Sequence, residues 1–217
     1  MSLIRVINSI VLLIFLALIT VGCAGKQDYY PPSTPSNAPN TKVVNKPFDV
    51  VWKEAVPALA KKFFVINNID KESGLINLSY SGNPANFIDC GRIKSYVKNA
   101  RGERTYDFPA ARDHQVYEVM DEHGLWFADR TMTLEGRINL IFEKVGPNST
   151  RVTANTRYVV VRSVTAQKAG TRIPLTAAYT INFDSGSGAN FPANAKGIGV
   201  RCIATGDLEK EVLSLIK

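Results

Sequence analysis

Apolar and polar residues alternate most regularly in the second half of the chain. The alternation runs through residues 132–142, 151–161 and 175–183. Because successive side chains of a strand point to opposite faces, this pattern predicts three long antiparallel strands, each with one buried and one solvated face. Residues 146–149, Gly-Pro-Asn-Ser, are typical of the turn that joins the first two strands. Residues 63–69 and 75–81 predict a further strand pair, joined by a turn that ends at Gly74.

Helical spacing occurs near the two ends of the globular region. Pro47 suits the first turn of a helix, where its missing N–H has no intrahelical partner, and the apolar residues after it fall on one face. We interpret Trp52, on this face, as a core residue rather than a ligand-stacking one. A final helix is predicted to begin at Thr205 or Gly206. This order of elements favours the α+β fold class: a curved antiparallel sheet with an N-terminal and a C-terminal helix packed on one face.

Residues 92–130 show no clean periodicity and interleave basic with aromatic side chains. A segment of this length without secondary structure is uncommon in a compact domain and is usually functional. Because aromatic residues and arginine dominate interface energies, we expect this insertion to carry the partner-binding surface. The candidate partner-binding residues are Arg101, Arg104, Tyr106 and Trp126. The alternative is that the segment contains cryptic strands, one of them around residues 116–119, whose aromatic side chains belong to the core.

The start of the chain follows the order of a secretory signal. One positive charge precedes an apolar run at residues 10–19, and small residues then lead to Cys23. The ending Gly22-Cys23 resembles the lipobox of bacterial lipoproteins, in which the signal is cut before a cysteine that carries the lipid; Thr20 stands where that family usually has leucine. The resemblance implies a signal peptide at residues 1–22 and lipidation, including palmitate, at Cys23. The alternatives are an uncleaved anchor and an ordinary secretory signal.

The residues after the lipobox predict a tether and then one domain. Residues 23–41 are rich in Pro, Ser, Asn and Thr, a composition that cannot bury enough apolar area to fold. Residues 42–217 then form a single domain that contains the insertion. In lipoproteins of this kind an aspartate after the cysteine often signals inner-membrane retention, and Ala24 stands there instead. We therefore expect anchoring in the cell outer membrane, on its periplasmic rather than its surface face.

The charge of the chain limits the classes of partner that we expect. The formal net charge is +7 and the pI is about 9.3. A basic exported protein is attracted to anionic lipid headgroups and acidic glycans. The charge is spread along the chain, because the longest Lys/Arg run is the pair Lys61-Lys62, and nucleic acid is therefore not an expected partner. The expected partners are the membrane, through the lipid, and another envelope protein.

The cysteines predict a disulfide and no metal site. Once Cys23 carries lipid, Cys90 and Cys202 remain, and in an oxidising compartment two remaining cysteines most simply pair. Two buried unpaired thiols are the alternative. A metal site would need further ligands at suitable spacing, and the only histidines, His114 and His123, are distant from both cysteines in sequence.

No catalytic motif is recognisable in the sequence. The G-x-S-x-G nucleophile elbow is missing, and residues 186–188 lack the lysine of a phosphate loop. We therefore predict no enzyme activity and no cofactor. Two roles remain open: a non-catalytic binding or scaffold module of the cell envelope, or a carrier of a lipid-like or other small amphiphilic ligand. Large side chains that fill the concave face of the sheet, such as Tyr158, Tyr179 and Phe183, would favour the first role.

A short segment of the domain resembles a known lipoprotein family. Residues 65–76 read Val-Ile-Asn-Asn-Ile-Asp-Lys-Glu-Ser-Gly-Leu-Ile and follow the first predicted helix. This order of elements resembles the opening of the helix-grip domains of BamC-type outer-membrane lipoproteins. It consists of a helix, a strand ending in Asp-Lys-x-Ser-Gly and a second strand. The resemblance covers residues 48–80 and implies a helix-grip fold and a role in outer-membrane assembly. The insertion and the cysteine pair are not part of that pattern.

Overall fold

The computed structural model describes residues 24–34, 39–62, 64–194 and 197–217. In these ranges 59% of the residues are in strands and 13% in helices. The predicted α+β fold class is therefore wrong: the protein is a mostly antiparallel β fold, and its two helices are minor elements. The correction follows from strands that composition alone did not reveal, at the start of the described chain and within residues 92–130.

The elements follow one another in a simple order along the chain. The strands are β1 (Ala24–Tyr30), β2 (Thr41–Val44), β3 (Val65–Asp70), β4 (Leu75–Gly82), β5 (Ile88–Asp89), β6 (Arg92–Asn99), β7 (Gly102–Pro109), β8 (His114–Asp121), β9 (Gly124–Gly146), β10 (Ser149–Lys168), β11 (Leu175–Asp184), β12 (Gly188–Asn190) and β13 (Arg201–Ala204). The helices are α1 (Phe48–Ala60) and α2 (Asp207–Ser214). The long strands predicted from alternation are thus confirmed, as are both helices.

One long hairpin, formed by β9 and β10, is the spine of the fold. The two strands contain 23 and 20 residues, and their register runs from Ser149–Gly146 at the turn to Lys168–Trp126 at the open end. Each outer edge of the hairpin pairs with two shorter strands in succession: β8 and β4 along β9, and β11 and β2 along β10. With β3 beside β4, they make a seven-stranded sheet.

The segment predicted as an insertion consists of strands. β6 and β7 form a hairpin whose basic residues face acids on the neighbouring strand: Arg92 pairs with Asp107 at 2.8 Å and Lys98 with Glu103 at 2.6 Å. The apolar face of this hairpin is buried, and Phe108 lies 5.0 Å from the ring of Tyr117 on β8. The alternative of cryptic strands is therefore correct: the interleaved charges lie on the exposed face of a hairpin, and Ile93, Val97 and Phe108 lie on its buried face.

The first part of the predicted tether is a strand, β1, and not an unfolded segment. Ala24–Tyr30 pairs antiparallel with β6, from Ala24 opposite Lys98 to Tyr30 opposite Arg92. The hydroxyl of Tyr29 also accepts a hydrogen bond from Arg201 N at 2.8 Å. A polar edge strand of this kind is held by backbone hydrogen bonds rather than by apolar burial, and this is why its composition did not predict it. The folded domain thus includes the residue that directly follows Cys23.

The two helices pack on different parts of the long hairpin. Trp52 of α1 is 7% exposed and its ring meets that of Phe142 edge-on at 5.1 Å, so its interpretation as a core residue is confirmed. On α2, the buried carboxylate of Glu209 accepts a hydrogen bond from the Tyr158 hydroxyl at 2.8 Å. Burial and the neighbouring carboxylate raise the pKa of Tyr158 well above its usual range.

The disulfide between Cys90 and Cys202 is present and fully buried. It follows β5 on one side and lies within β13 on the other, next to the strand pair in which Asp89 faces Ile203. The bond therefore holds the segment that enters β6 against the segment that enters α2. Its two cysteines are 112 residues apart in sequence.

Candidate functional site

A pocket of about 230 Å³ lies between the seven-stranded sheet and β1. Its floor is the face formed by β8, β9, β10 and β11, and its opposite wall includes Gln27, Asp28 and Tyr29 of β1 and Ile93 of β6. Pro192 and Val200 lie on the segment that closes one side. Two arginines, Arg130 and Arg162, reach this pocket from the floor.

The strand registers explain why these arginines meet. Arg130 of β9 lies opposite Val164 of β10, and Met132 lies opposite Arg162. The two arginines are therefore diagonal neighbours on one face of an antiparallel pair, a spacing that long side chains can bridge. Tyr179 of β11 lies directly opposite Arg162 and continues the same row.

Arg130 is a buried cation. It is 1% exposed, and its guanidinium donates to the carbonyl oxygens of Ala110 and Arg112. Burial is the main reason that the pKa of Arg130 is lowered to about 10; Tyr117 opposes this shift, and the positive charge of Arg162 adds to it. The hydrogen bonds satisfy some of its donors, but neither partner is an anion. Its positive charge is therefore uncompensated by these contacts.

Arg162 is partly exposed and incompletely bonded. Its guanidinium carbon lies 4.4 Å from the ring centroid of Phe191 and 5.6 Å from that of Tyr179. Its Nε is buried without a hydrogen-bond partner, and Nη2 is 3.5 Å from the carbonyl oxygen of Pro192. Burial lowers the pKa of Arg162. Aromatic contacts hold such a cation in place without consuming its hydrogen-bond donors.

The charge balance of the pocket is positive. Among the described residues, neither arginine forms an ion pair with a carboxylate. Asp28 also lines the pocket, but its carboxylate is paired with Lys26 Nζ at 2.9 Å. Buried charges in proteins are normally paired, and arginine offers planar donors that match carboxylate and phosphate oxygens. The pocket is therefore suited to an anionic group.

A second space of about 180 Å³ adjoins the arginine pocket. The two spaces share Gln27, Tyr117, Val164 and Asn194 among their lining residues. The second space is also lined by five residues that do not line the arginine pocket: Val119, Asp121, Trp126, Ala128 and Ala166. We refer to this second space as the apolar chamber. Together the two spaces suit a small molecule with an anionic head and an apolar tail.

The four residues predicted to bind a partner differ in exposure and in their contacts. Arg101 is exposed in the β6–β7 turn, while the guanidinium of Arg104 pairs with Glu118 at 2.7 Å. Tyr106 is partly buried against the core. Trp126 alone reaches the site, in the wall of the apolar chamber, where its Nε1 donates to Asp121 at 3.0 Å. Arg104 and Tyr106 are therefore neighbours that both contact Glu118, and of the four residues Trp126 is the one that lines the site.

Sequence reasoning missed Arg130 and Arg162, although a signal for them exists. The even-numbered positions of β9 point inward at Met132 and Leu134, and Arg130 continues that series. Arg162 continues the inward series of Tyr158 and Val160 in the same way. An arginine at an inward position of an alternating strand therefore indicates either a buried ion pair or a ligand site.

No family model, no curated protein and no solved structure matches this chain. The described part of the chain contains no group of three or more His, Cys, Asp or Glu residues that could hold a metal ion. None of the helices in the same ranges is long and apolar enough to cross a membrane. Cys23 and the signal-like segment lie outside the described residues.

Proposed function

We propose that the protein is a lipid-anchored, non-catalytic binding module of the bacterial cell envelope, and that it binds a small amphiphile with an anionic head. The observation that carries the proposal is that Arg130 and Arg162, which have no carboxylate partner among the described residues, line a pocket that shares four lining residues with the apolar chamber. The anion would accept hydrogen bonds from the guanidinium groups, and the apolar tail would lie along Trp126 and Val119.

The location of this space favours ligand binding over a purely structural sheet. Tyr158 and Phe183 are buried and their rings stack at 5.3 Å, so the sheet is solidly packed where α2 covers it. Tyr179, in contrast, is 41% exposed and lines the arginine pocket. The carrier role therefore gains support at the Tyr179 end.

The anchoring part of the proposal rests on the sequence. The apolar run at residues 10–19 followed by Gly22-Cys23 has the order of a lipoprotein signal. The Cys90–Cys202 disulfide supports export, because such bonds persist in oxidising compartments. Outer-membrane location on the periplasmic side follows from Ala24 after the cysteine and is part of the same proposal.

Replacing Cys23 by serine is expected to release the protein from the membrane fraction, because several acyl chains on one residue give stable anchoring that the protein surface alone does not. The measurement is fractionation of cells together with the intact mass of the mature protein. An unchanged mass relative to wild type, with unchanged fractionation, would contradict lipidation at Cys23.

Replacing Arg162 by glutamine is expected to weaken octanoate binding by about tenfold, because a hydrogen bond to a charged group contributes about 1.5–3 kcal/mol and glutamine retains a neutral donor. The assay is isothermal titration of the full-length protein in nanodiscs with sodium octanoate, with empty nanodiscs as the blank. Arg157→Gln is the matched control, since Arg157 lies on the same strand and is exposed. Equal affinities of the two variants would contradict the assignment of Arg162.

A further inference from the structure

One end of the molecule gathers three turns and the start of β1. We call it the hairpin end; it comprises Ala24, the β6–β7 turn, the β8–β9 turn and the β10–β11 loop. Ala24 lies opposite Lys98, next to the β6–β7 turn, and the adjacent Gly25 lies against Met120 near the end of β8. The β8–β9 turn joins Asp121 to Gly124. The β10–β11 loop is held there because Ala169 N donates to Leu125 O at 2.8 Å.

The hairpin end exposes aliphatic side chains beside basic ones. Ile173 is 78% exposed and Leu175 is 61% exposed, both in or next to the β10–β11 loop. Arg172 precedes Ile173, and Arg101 lies in the β6–β7 turn; both are exposed. Neither arginine is in an ion pair within the described ranges, whereas the acidic residue Glu103 at this end is paired with Lys98 at 2.6 Å. The acidic Glu122 of the β8–β9 turn lies 3.5 Å from His123.

We infer that the hairpin end lies against the headgroup region of an anionic lipid bilayer. The inference rests on the proposed anchoring. The chain that precedes the domain, with its apolar run at residues 10–19 and Cys23, joins the fold at Ala24, in the hairpin end itself. No more than one peptide bond then separates the lipid-bearing residue from β1. Exposed aliphatic residues flanked by arginine are suited to the boundary between headgroups and acyl chains.

This orientation gives the apolar chamber a route to the membrane. Asp121 and Trp126, which line the chamber, belong to or follow the β8–β9 turn of the hairpin end. Arg130 lies deeper along the same strand. An amphiphile that enters from the bilayer with its head first would therefore reach the arginines while its tail stays on the membrane side.

The opposite end of the sheet provides a matched control. It also exposes aliphatic residues, among them Ile69, which is 43% exposed. Ile69 lies opposite Ile76, which in turn lies opposite Leu140 of β9. The distance along β9 from Leu125 to Leu140 is roughly 50 Å, at about 3.3 Å per residue. A residue at Ile69 is therefore too far from the hairpin end to touch the same bilayer surface.

The test places a tryptophan at each end of the full-length protein. Ile173→Trp and Ile69→Trp are reconstituted into vesicles of phosphatidylethanolamine and phosphatidylglycerol with brominated acyl chains, and the wild-type signal of Trp52 and Trp126 is subtracted. We expect Ile173→Trp to lose about half of its added fluorescence or more, because a residue at the boundary lies roughly 5–10 Å into it. The signal of Ile69→Trp should be unchanged.

The outcomes separate the orientation from the anchoring. If the protein does not float with the vesicles, the proposed anchoring fails. If it floats and the two tryptophans are quenched equally, or only Ile69→Trp is quenched, the anchoring stands and the hairpin end is not the membrane-facing surface. Reversing the two free charges, with Arg101→Glu and Arg172→Glu, should reduce the quenching of Ile173→Trp in these vesicles. Unchanged quenching would contradict the claim that Arg101 and Arg172 contact anionic headgroups.

Discussion

Replacing Cys90 and Cys202 together by alanine is expected to lower the free energy of unfolding by about 4–5 kcal/mol. The physical reason is that the bond closes a very long loop: the cysteines are 112 residues apart, and the chain-entropy model gives about 4.7 kcal/mol for a loop of roughly 100 residues. The loop contains the whole of the long hairpin, so its closure restricts much of the unfolded chain. Urea unfolding followed by tryptophan fluorescence measures the change, because Trp52 is buried.

Reduction of the wild-type protein is the control for this prediction. Alanine is used because both cysteines are fully buried and a serine hydroxyl would add an unsatisfied polar group. A reducing agent should destabilise the wild type to nearly the level of the double variant and should have no further effect on the variant. A double variant as stable as the oxidised wild type would contradict a stabilising role for the bond.

Replacing Arg130 by methionine is expected to reduce octanoate affinity by about 100-fold, while the free energy of unfolding of the ligand-free protein changes by less than about 2 kcal/mol. Two effects on stability oppose each other. Methionine removes a buried cation whose pKa is lowered to about 10, and this removes the free-energy cost of burying a charge without a carboxylate partner. It also leaves the carbonyl oxygens of Ala110 and Arg112 without this donor.

The same reasoning gives a pH dependence for the wild type. The cationic form of Arg130 accepts the anion, so octanoate affinity should fall as the pH rises through about 10, where the folded protein releases this proton. The control for the substitution is Arg137→Met on the same strand, because Arg137 is exposed and pairs with Glu135 at 2.8 Å. If Arg130→Met unfolds the protein, Arg130 is structural. If it stays folded and binds octanoate as tightly as the control, the pocket does not bind anions.

The parts of the fold that the sequence predicted are those where one face of an element is uniformly apolar. Buried and exposed residues alternate over most of the length of β9 and β10. Both strands and their turn could therefore be predicted from the alternation of apolar and polar residues alone. The same holds for α1, whose Val51, Trp52, Ala55 and Leu59 are buried on one face. In such elements the local pattern and the tertiary burial coincide.

The parts that could not be predicted depend on pairing between distant residues. β1 is polar and exists because β6 offers it a backbone edge; its partner residues are far away along the chain, with Tyr30 opposite Arg92 and Ala24 opposite Lys98. The alternation of apolar and polar residues is hard to recognise in β6 and β7, because their exposed face carries cross-strand ion pairs. The arginine site is of the same kind, since Arg130 and Arg162 become neighbours only through the register of the long hairpin.

The comparison of octanoate with octanol tests most directly whether the pocket recognises an anionic head. The two molecules share one alkyl chain and differ in the charge of the head group, and both can be titrated into full-length wild-type protein in nanodiscs with empty nanodiscs as the blank. With Arg130 and Arg162 as the anion site, octanoate should bind at least about tenfold more tightly than octanol, since a hydrogen bond to a charged group contributes about 1.5–3 kcal/mol. Equal affinities, tighter binding of octanol, or no binding of octanoate would contradict it.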